Sequence, residues 1–211
     1  MNPDFFTKFA SMTAIIGFGL FIAFGLAAAL LYPFPFSLLA DPYSKVGAIV
    51  TGNYAAGMLS AGLAVTGAFM IPVVVAFLRE TVDHGKGRRM PVASIGFIMQ
   101  LAGRAGMILV GVFPTRPWKG IHDAVAITWM AGEVLGMIFI MIEMFRWPTE
   151  RKWVLVTTLV IVAGIVSWLP YAFGTWEGMG MSEFITMLTI YAYSLGLWVR
   201  AWKHGAVIGQ S

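Results

Sequence analysis

The sequence predicts an all-α protein, a polytopic membrane helix bundle of about six transmembrane helices with both termini cytoplasmic. Of the 211 residues, 59% are hydrophobic and 11% are charged, whereas a soluble domain carries roughly 25% charged residues. The mean hydropathy is +0.81. Six apolar stretches follow one another, each near the length of about 20 residues that a bilayer requires. Lipid is therefore the expected solvent for most of the chain.

The apolar stretches place the helices at about 9–32, 53–78, 91–113, 121–145, 153–173 and 182–202. Short polar segments separate them, and the longest loop covers residues 33–52. No stretch is long and polar enough for a separate soluble domain. We therefore predict a single integral membrane domain over residues 1–211.

Local signals support the ends of these helices. Pro33 cannot continue the first helix, and Asn53 is a suitable N-cap for the second. Pro91 suits a first helical position. Pro170 falls near the end of the fifth predicted helix, which we expect to run through it. Glu183 places a carboxylate at the positive end of the sixth helix dipole.

The distribution of Lys and Arg predicts the orientation. One side of the six-helix arrangement carries Lys8, Arg79, Lys86, Arg88, Arg89, Arg146, Arg151, Lys152, Arg200 and Lys203. The other side carries Lys45, Arg116 and Lys119. Short cytoplasmic loops are enriched in Lys and Arg. Both termini are thus expected on the cytoplasmic face of the cell membrane.

Two ionisable residues, Arg104 and Glu133, fall well inside predicted spans. Each costs about 2.5–3.5 kcal/mol at the centre of a bilayer if it is left alone. Arg104 lies about nine residues before the end of its helix and Glu133 about twelve residues after the start of the next. At a rise of about 1.5 Å per residue the two charges lie at similar depth. We predict an ion pair, which either locks two helices in register or forms part of a ligand site.

Further polar residues share the faces of this pair. His122 precedes Glu133 by about three helical turns, a distance of about 16 Å along the axis. Asp123 points about 100° away from His122. The residues predicted to line one polar cleft, opening toward the outer surface, are Gln100, Arg104, His122, Trp129 and Glu133. Of these, Arg104, Glu133, Gln100 and Trp129 are candidate ligand-binding residues, whereas His122 and Asp123 are the catalytic candidates.

Several chemistries find no matching pattern. The chain has no cysteine, so thiolate nucleophiles, thiolate metal sites and disulfides are excluded. His122, Asp123 and Glu133 are too far apart along one helix to hold one metal ion, and no two histidines fall inside spans as bis-histidine haem would require. Neither a glycine-rich phosphate loop nor a catalytic triad can be assigned. No cofactor or metal is expected, and the scattered basic residues argue against nucleic acid.

The stretch GVFPTRPWKGIHDAVA, Gly111 to Ala126, resembles the signature of prokaryotic membrane proteins grouped as domain of unknown function 998. In that group a Gly-x-Phe-Pro-Thr turn ends one helix and a histidine, here His122, opens the next. The segment Ser37 to Gly47 is similar to the group's first outer loop. Arg116 stands where the pattern has an acidic residue. The resemblance implies a six-helix fold and assigns no activity.

The leading functional hypothesis is a membrane protein that binds a lipid or amphiphile in an outer-leaflet cleft, with Arg104 holding an anionic headgroup. One alternative is an enzyme acting on a lipid headgroup, with His122 as general base assisted by Asp123. Others are a transporter that uses Glu133 as its proton site and an accessory subunit with a structural Arg–Glu pair. Expected partners are membrane lipids and either a second copy of the chain or another membrane subunit.

Overall fold

The computed structural model describes residues 3–37, 39–84, 91–146 and 151–208, without the side chains of residues 3, 4, 7, 80–84 and 197–208. Its helices are α1 (Pro3–Leu31), α2 (Ala55–His84), α3 (Pro91–Val112), α4 (Thr115–Phe145), α5 (Arg151–Val166), α6 (Leu169–Ala172) and α7 (Gly180–Ile208). A 3-10 turn covers Tyr43–Lys45. The described residues contain no strand, which confirms an all-α bundle.

Within the described residues, five helical segments are long and apolar enough to cross a bilayer. They are Lys8–Leu31, Ala55–Arg79, Pro91–Val112, Thr115–Phe145 and Arg151–Ala172. The protein is therefore a multi-pass membrane protein. A sixth span in α7 and the cytoplasmic position of the termini stay predictions. Of the residues that predict the orientation, Lys86, Arg88 and Arg89 lie outside the described residues, as do the side chains of Arg200 and Lys203.

The predicted start of the fourth helix agrees with the backbone. Within α4, Arg116 and Trp118 have non-helical backbone angles, so the regular helix begins after Trp118, close to the predicted residue 121. The second helix starts near Asn53, whose Oδ1 accepts a hydrogen bond from the Ala55 amide at 3.1 Å. The starts of these two helices thus follow from local sequence signals.

The fifth predicted helix, 153–173, is wrong in one respect. The chain leaves the helix after Val166, turns, and forms the short α6, with Pro170 in the first turn of α6. Proline lacks an amide hydrogen and clashes with the carbonyl four residues earlier, here that of Val166. The hydroxyl of Ser182 donates to the Ser167 carbonyl at 2.8 Å, so α7 supports the backbone at the break.

The helices pack in chain order, and α7 closes the bundle against α1, α2 and α5. The contact between α3 and α4 is the most extensive. Glycines allow the backbones of α3 and α4 to approach each other closely. A Cβ at Gly132 would lie 2.7 Å from the Met99 carbonyl oxygen and 2.8 Å from the Gly103 amide nitrogen. Small residues at such contacts allow helix backbones to approach in a membrane.

Three loops meet at one end of the bundle, which we call the long-loop end because it carries residues 32–37 and 39–54. The hydroxyl of Thr115 donates to the Ser44 carbonyl at 3.1 Å. The Gly178 amide donates to the Leu39 carbonyl at 2.6 Å. The long loop is thereby tied to the α3–α4 turn and to the segment before α7.

Candidate functional site

The predicted ion pair is present between α3 and α4. Arg104 Nε lies 2.9 Å from Glu133 Oε1, and the two residues are 1% and 0% exposed. Arg104 Nη2 donates to the Ser194 hydroxyl of α7 at 2.6 Å, and Ser194 donates to the Ile190 carbonyl at 2.9 Å. The guanidinium therefore connects three helices.

Gly103, which lies on α3 opposite Glu133, makes this pair possible. A Cβ at Gly103 would lie 3.0 Å from both the Glu133 amide nitrogen and Glu133 Oε1. The absence of a side chain at Gly103 lets α4 approach α3 closely enough for the carboxylate to reach the guanidinium. The ion pair consequently depends on the close helix–helix contact.

Several polar atoms around the pair are buried without a hydrogen-bond partner in the described part of the chain. They are both polar atoms of Gln100, Nε and Nη1 of Arg104, Nε1 of Trp129 and both carboxylate oxygens of Glu133. The Arg104–Glu133 contact is thus at ion-pair distance without hydrogen-bond alignment. Buried polar groups are otherwise almost always bonded to protein or internal water. We call these four residues the buried polar column.

A cleft with a cavity volume of about 50 Å³ opens above this column, at the long-loop end. It has room for a few water-sized groups. Its lining residues are Tyr43, Ser44, Gly47, Leu59, Ser60, Leu63, Val110, Pro114, His122, Ala126, Trp129, Met130, Glu183 and Met187. They come from the long loop, α2, α3, α4 and α7, so the cleft exists only in the assembled bundle.

His122 lies at the cleft and is largely buried. Its Nδ1 is 2.8 Å from the Phe113 carbonyl. A carbonyl only accepts hydrogen bonds, so this contact requires the proton on Nδ1. The neutral ring then has Nε2 as its acceptor nitrogen. The Phe-Pro-Thr turn and the histidine that follows it are linked by this bond.

Glu183 joins the cleft from α7. Its Oε2 accepts a hydrogen bond from the Tyr43 amide at 2.7 Å, which fixes the long loop against the start of α7. Burial raises the pKa of the Tyr43 phenol, so Tyr43 offers the cleft a neutral hydroxyl and an aromatic ring. Sequence reasoning assigned Glu183 only to a helix terminus and did not select Tyr43 or Ser44.

The predicted site residues separate into three groups. His122 and Trp129 line the cleft. Arg104, Gln100 and Glu133 do not line it; Glu133 lies one turn beyond Trp129, about 6 Å along the axis. Asp123 belongs to neither the cleft nor the buried polar column, because its Oδ2 pairs with Lys119 Nζ at 2.6 Å on the exposed side of α4. One continuous cleft was predicted, whereas the structure has a cleft and a buried polar column that meet at Trp129.

The described residues contain no group of three His, Cys, Asp or Glu side chains that converge as metal ligands. The polar groups that line the cleft, such as the His122 ring and the Glu183 carboxylate, can form hydrogen bonds.

The comparisons with known proteins agree with the resemblance in the α3–α4 turn. Over residues 15–200 the chain matches the family described as protein of unknown function DUF998. The match thus extends over most of the chain. Comparisons with curated proteins and with solved structures give no match.

Proposed function

This chain belongs to the family of proteins of unknown function DUF998, and from that premise we propose that it binds an amphiphilic ligand in the cleft at the long-loop end. The proposal includes six spans, with α7 as the sixth, and both termini on the cytoplasmic side of the cell membrane. The cleft then opens in the outer leaflet, where lipid headgroups lie.

The observation that carries this proposal is the composition of the cleft lining, which combines apolar and polar side chains. Apolar side chains form most of the wall, among them Leu59, Leu63, Val110, Met130 and Met187. Polar groups of Tyr43, Ser44, His122 and Glu183 are added from the long loop and the helix ends. Ligand sites of this kind combine apolar walls with a few placed polar groups. An amphiphile likewise combines an apolar chain with a polar head.

The positions of the charged residues favour binding over catalysis. The enzyme hypothesis requires Asp123 beside His122 and Arg104 beside the substrate. Asp123 pairs with Lys119 instead, and Arg104 is buried beside Glu133. Of the proposed catalytic groups only His122 lies at the cleft. A headgroup role for Arg104 has the same difficulty, so we assign head recognition to the residues of the lining.

A substitution that fills the cleft tests the proposal. Ala126 lines the cleft, whereas Ala124 is exposed on the same helix. We expect Ala126→Phe to lower the amount of lipid that copurifies in mild detergent at least about tenfold, because the new ring occupies the ligand volume. Mass spectrometry of bound lipid measures the effect.

Ala124→Phe is the matched control and should retain the lipid of the wild type. Ser60→Phe fills the cleft from α2 and guards against a folding defect specific to α4. Each variant is first checked for a single monodisperse peak in size-exclusion chromatography. Equal lipid retention by the wild type and by both cleft-filling variants would exclude the cleft as the binding site.

A further inference from the structure

The charge of the cleft differs from that of the rest of the long-loop end. Among the lining residues, all of which the structure describes, Glu183 is the only one with a carboxylate and none is Lys or Arg. The carboxylate accepts a hydrogen bond from a neutral backbone donor, the Tyr43 amide. A carboxylate at a largely apolar wall attracts a cation more strongly than one in water, because screening is reduced.

Three cations of the described chain are already paired with other carboxylates. Lys45 Nζ lies 2.6 Å from Asp41 Oδ1, and Lys119 Nζ lies 2.6 Å from Asp123 Oδ2. Arg104 faces Glu133 beneath the cleft. Arg116 is exposed and does not line the cleft. The positive charge that matches Glu183 is therefore expected from the ligand.

Two aromatic side chains strengthen this expectation. Tyr43 and Trp129 line the same cleft as Glu183. Aromatic faces and carboxylates both stabilise an ammonium group.

We infer that the cleft selects an amphiphile whose head carries a protonated amine, which lies beside the Glu183 carboxylate. This inference rests on the proposed function and names its ligand class. It replaces the anionic headgroup that the position of Arg104 in the sequence predicted. A His122 ring that carries its single proton on Nδ1 has Nε2 as a second acceptor for an N–H of the amine.

Competition between lipids tests the inference. The purified full chain is incubated in detergent with equal amounts of phosphatidylethanolamine, its N-acetylated form and phosphatidylglycerol of the same acyl chains, and bound lipid is counted by native mass spectrometry. We expect the wild type to prefer phosphatidylethanolamine at least about tenfold over each of the others. Glu183→Gln should bind the three lipids about equally. Its side-chain oxygen still accepts the hydrogen bond from the Tyr43 backbone N–H, but the side chain carries no charge.

Asp123→Asn is the matched control, since it removes a carboxylate at the same end of the bundle but outside the cleft, and it should keep the preference. A wild type that prefers phosphatidylglycerol or shows no preference overturns the inference, as does an unchanged preference in Glu183→Gln. Lipid that remains bound in both Ala126→Phe and Ser60→Phe overturns the proposed function instead. Free ethanolamine at the same concentration should not displace the lipid; displacement would indicate a water-soluble amine and would overturn the assignment of an amphiphile.

Discussion

Replacing either Arg104 or Glu133 by alanine is expected to lower the free energy of unfolding by about 3–5 kcal/mol. Each substitution leaves one charge buried and unpaired between α3 and α4, where both partners are at most 1% exposed. The Arg104 variant also removes the hydrogen bond to Ser194. Unfolding by denaturant in a fixed detergent, followed by tryptophan fluorescence, measures the loss.

The double variant Arg104→Met/Glu133→Leu separates the charge from the contact. Because neither charge remains, we expect most of the stability to return, within about 1–2 kcal/mol of the wild type. Lys119→Ala is the control, because it breaks the exposed Lys119–Asp123 pair at the surface of the same helix. It should change the free energy of unfolding by less than about 1 kcal/mol. Single variants as stable as Lys119→Ala would show that the pair contributes little to the bundle.

The substitution Gly132→Ala, which adds a methyl group, is expected to lower the free energy of unfolding by about 1–3 kcal/mol. Its Cβ would meet the backbone of α3 at Met99 and Gly103, and backbone cannot move aside as a flexible side chain can. The two helices would have to separate, which also pulls Glu133 away from Arg104. The same unfolding measurement in detergent checks the result.

Gly19→Ala is the control for this substitution. Gly19 lies in α1 with nothing within 4 Å of the added Cβ. There the change should be neutral or stabilise by up to about 1 kcal/mol, because alanine favours the helix. Equal effects at Gly132 and Gly19 would mean that the α3–α4 contact is looser than its geometry implies.

The sequence by itself determined the membrane class, most helix positions and the Arg104–Glu133 pair. An apolar stretch of bilayer length is stable in the membrane as a helix, because every backbone polar group there must be hydrogen-bonded within the protein. The pair was predictable because two adjacent antiparallel helices have a known rise per residue, so depth follows from counting. Asn53 and Pro91 act locally, and their effect on helix ends was readable for the same reason.

Only the tertiary structure decided where the ligand cleft lies and which residues line it. The bond between Glu183 and the Tyr43 amide joins residues 140 positions apart, and no periodicity in the sequence relates them. Trp129 and Glu133 share a helix face, yet the packing of α3 and α7 leaves Trp129 at the cleft and encloses Glu133 beneath it. Helical spacing sets the direction of a side chain, whereas the neighbouring helices determine whether it reaches a cavity or a buried pair.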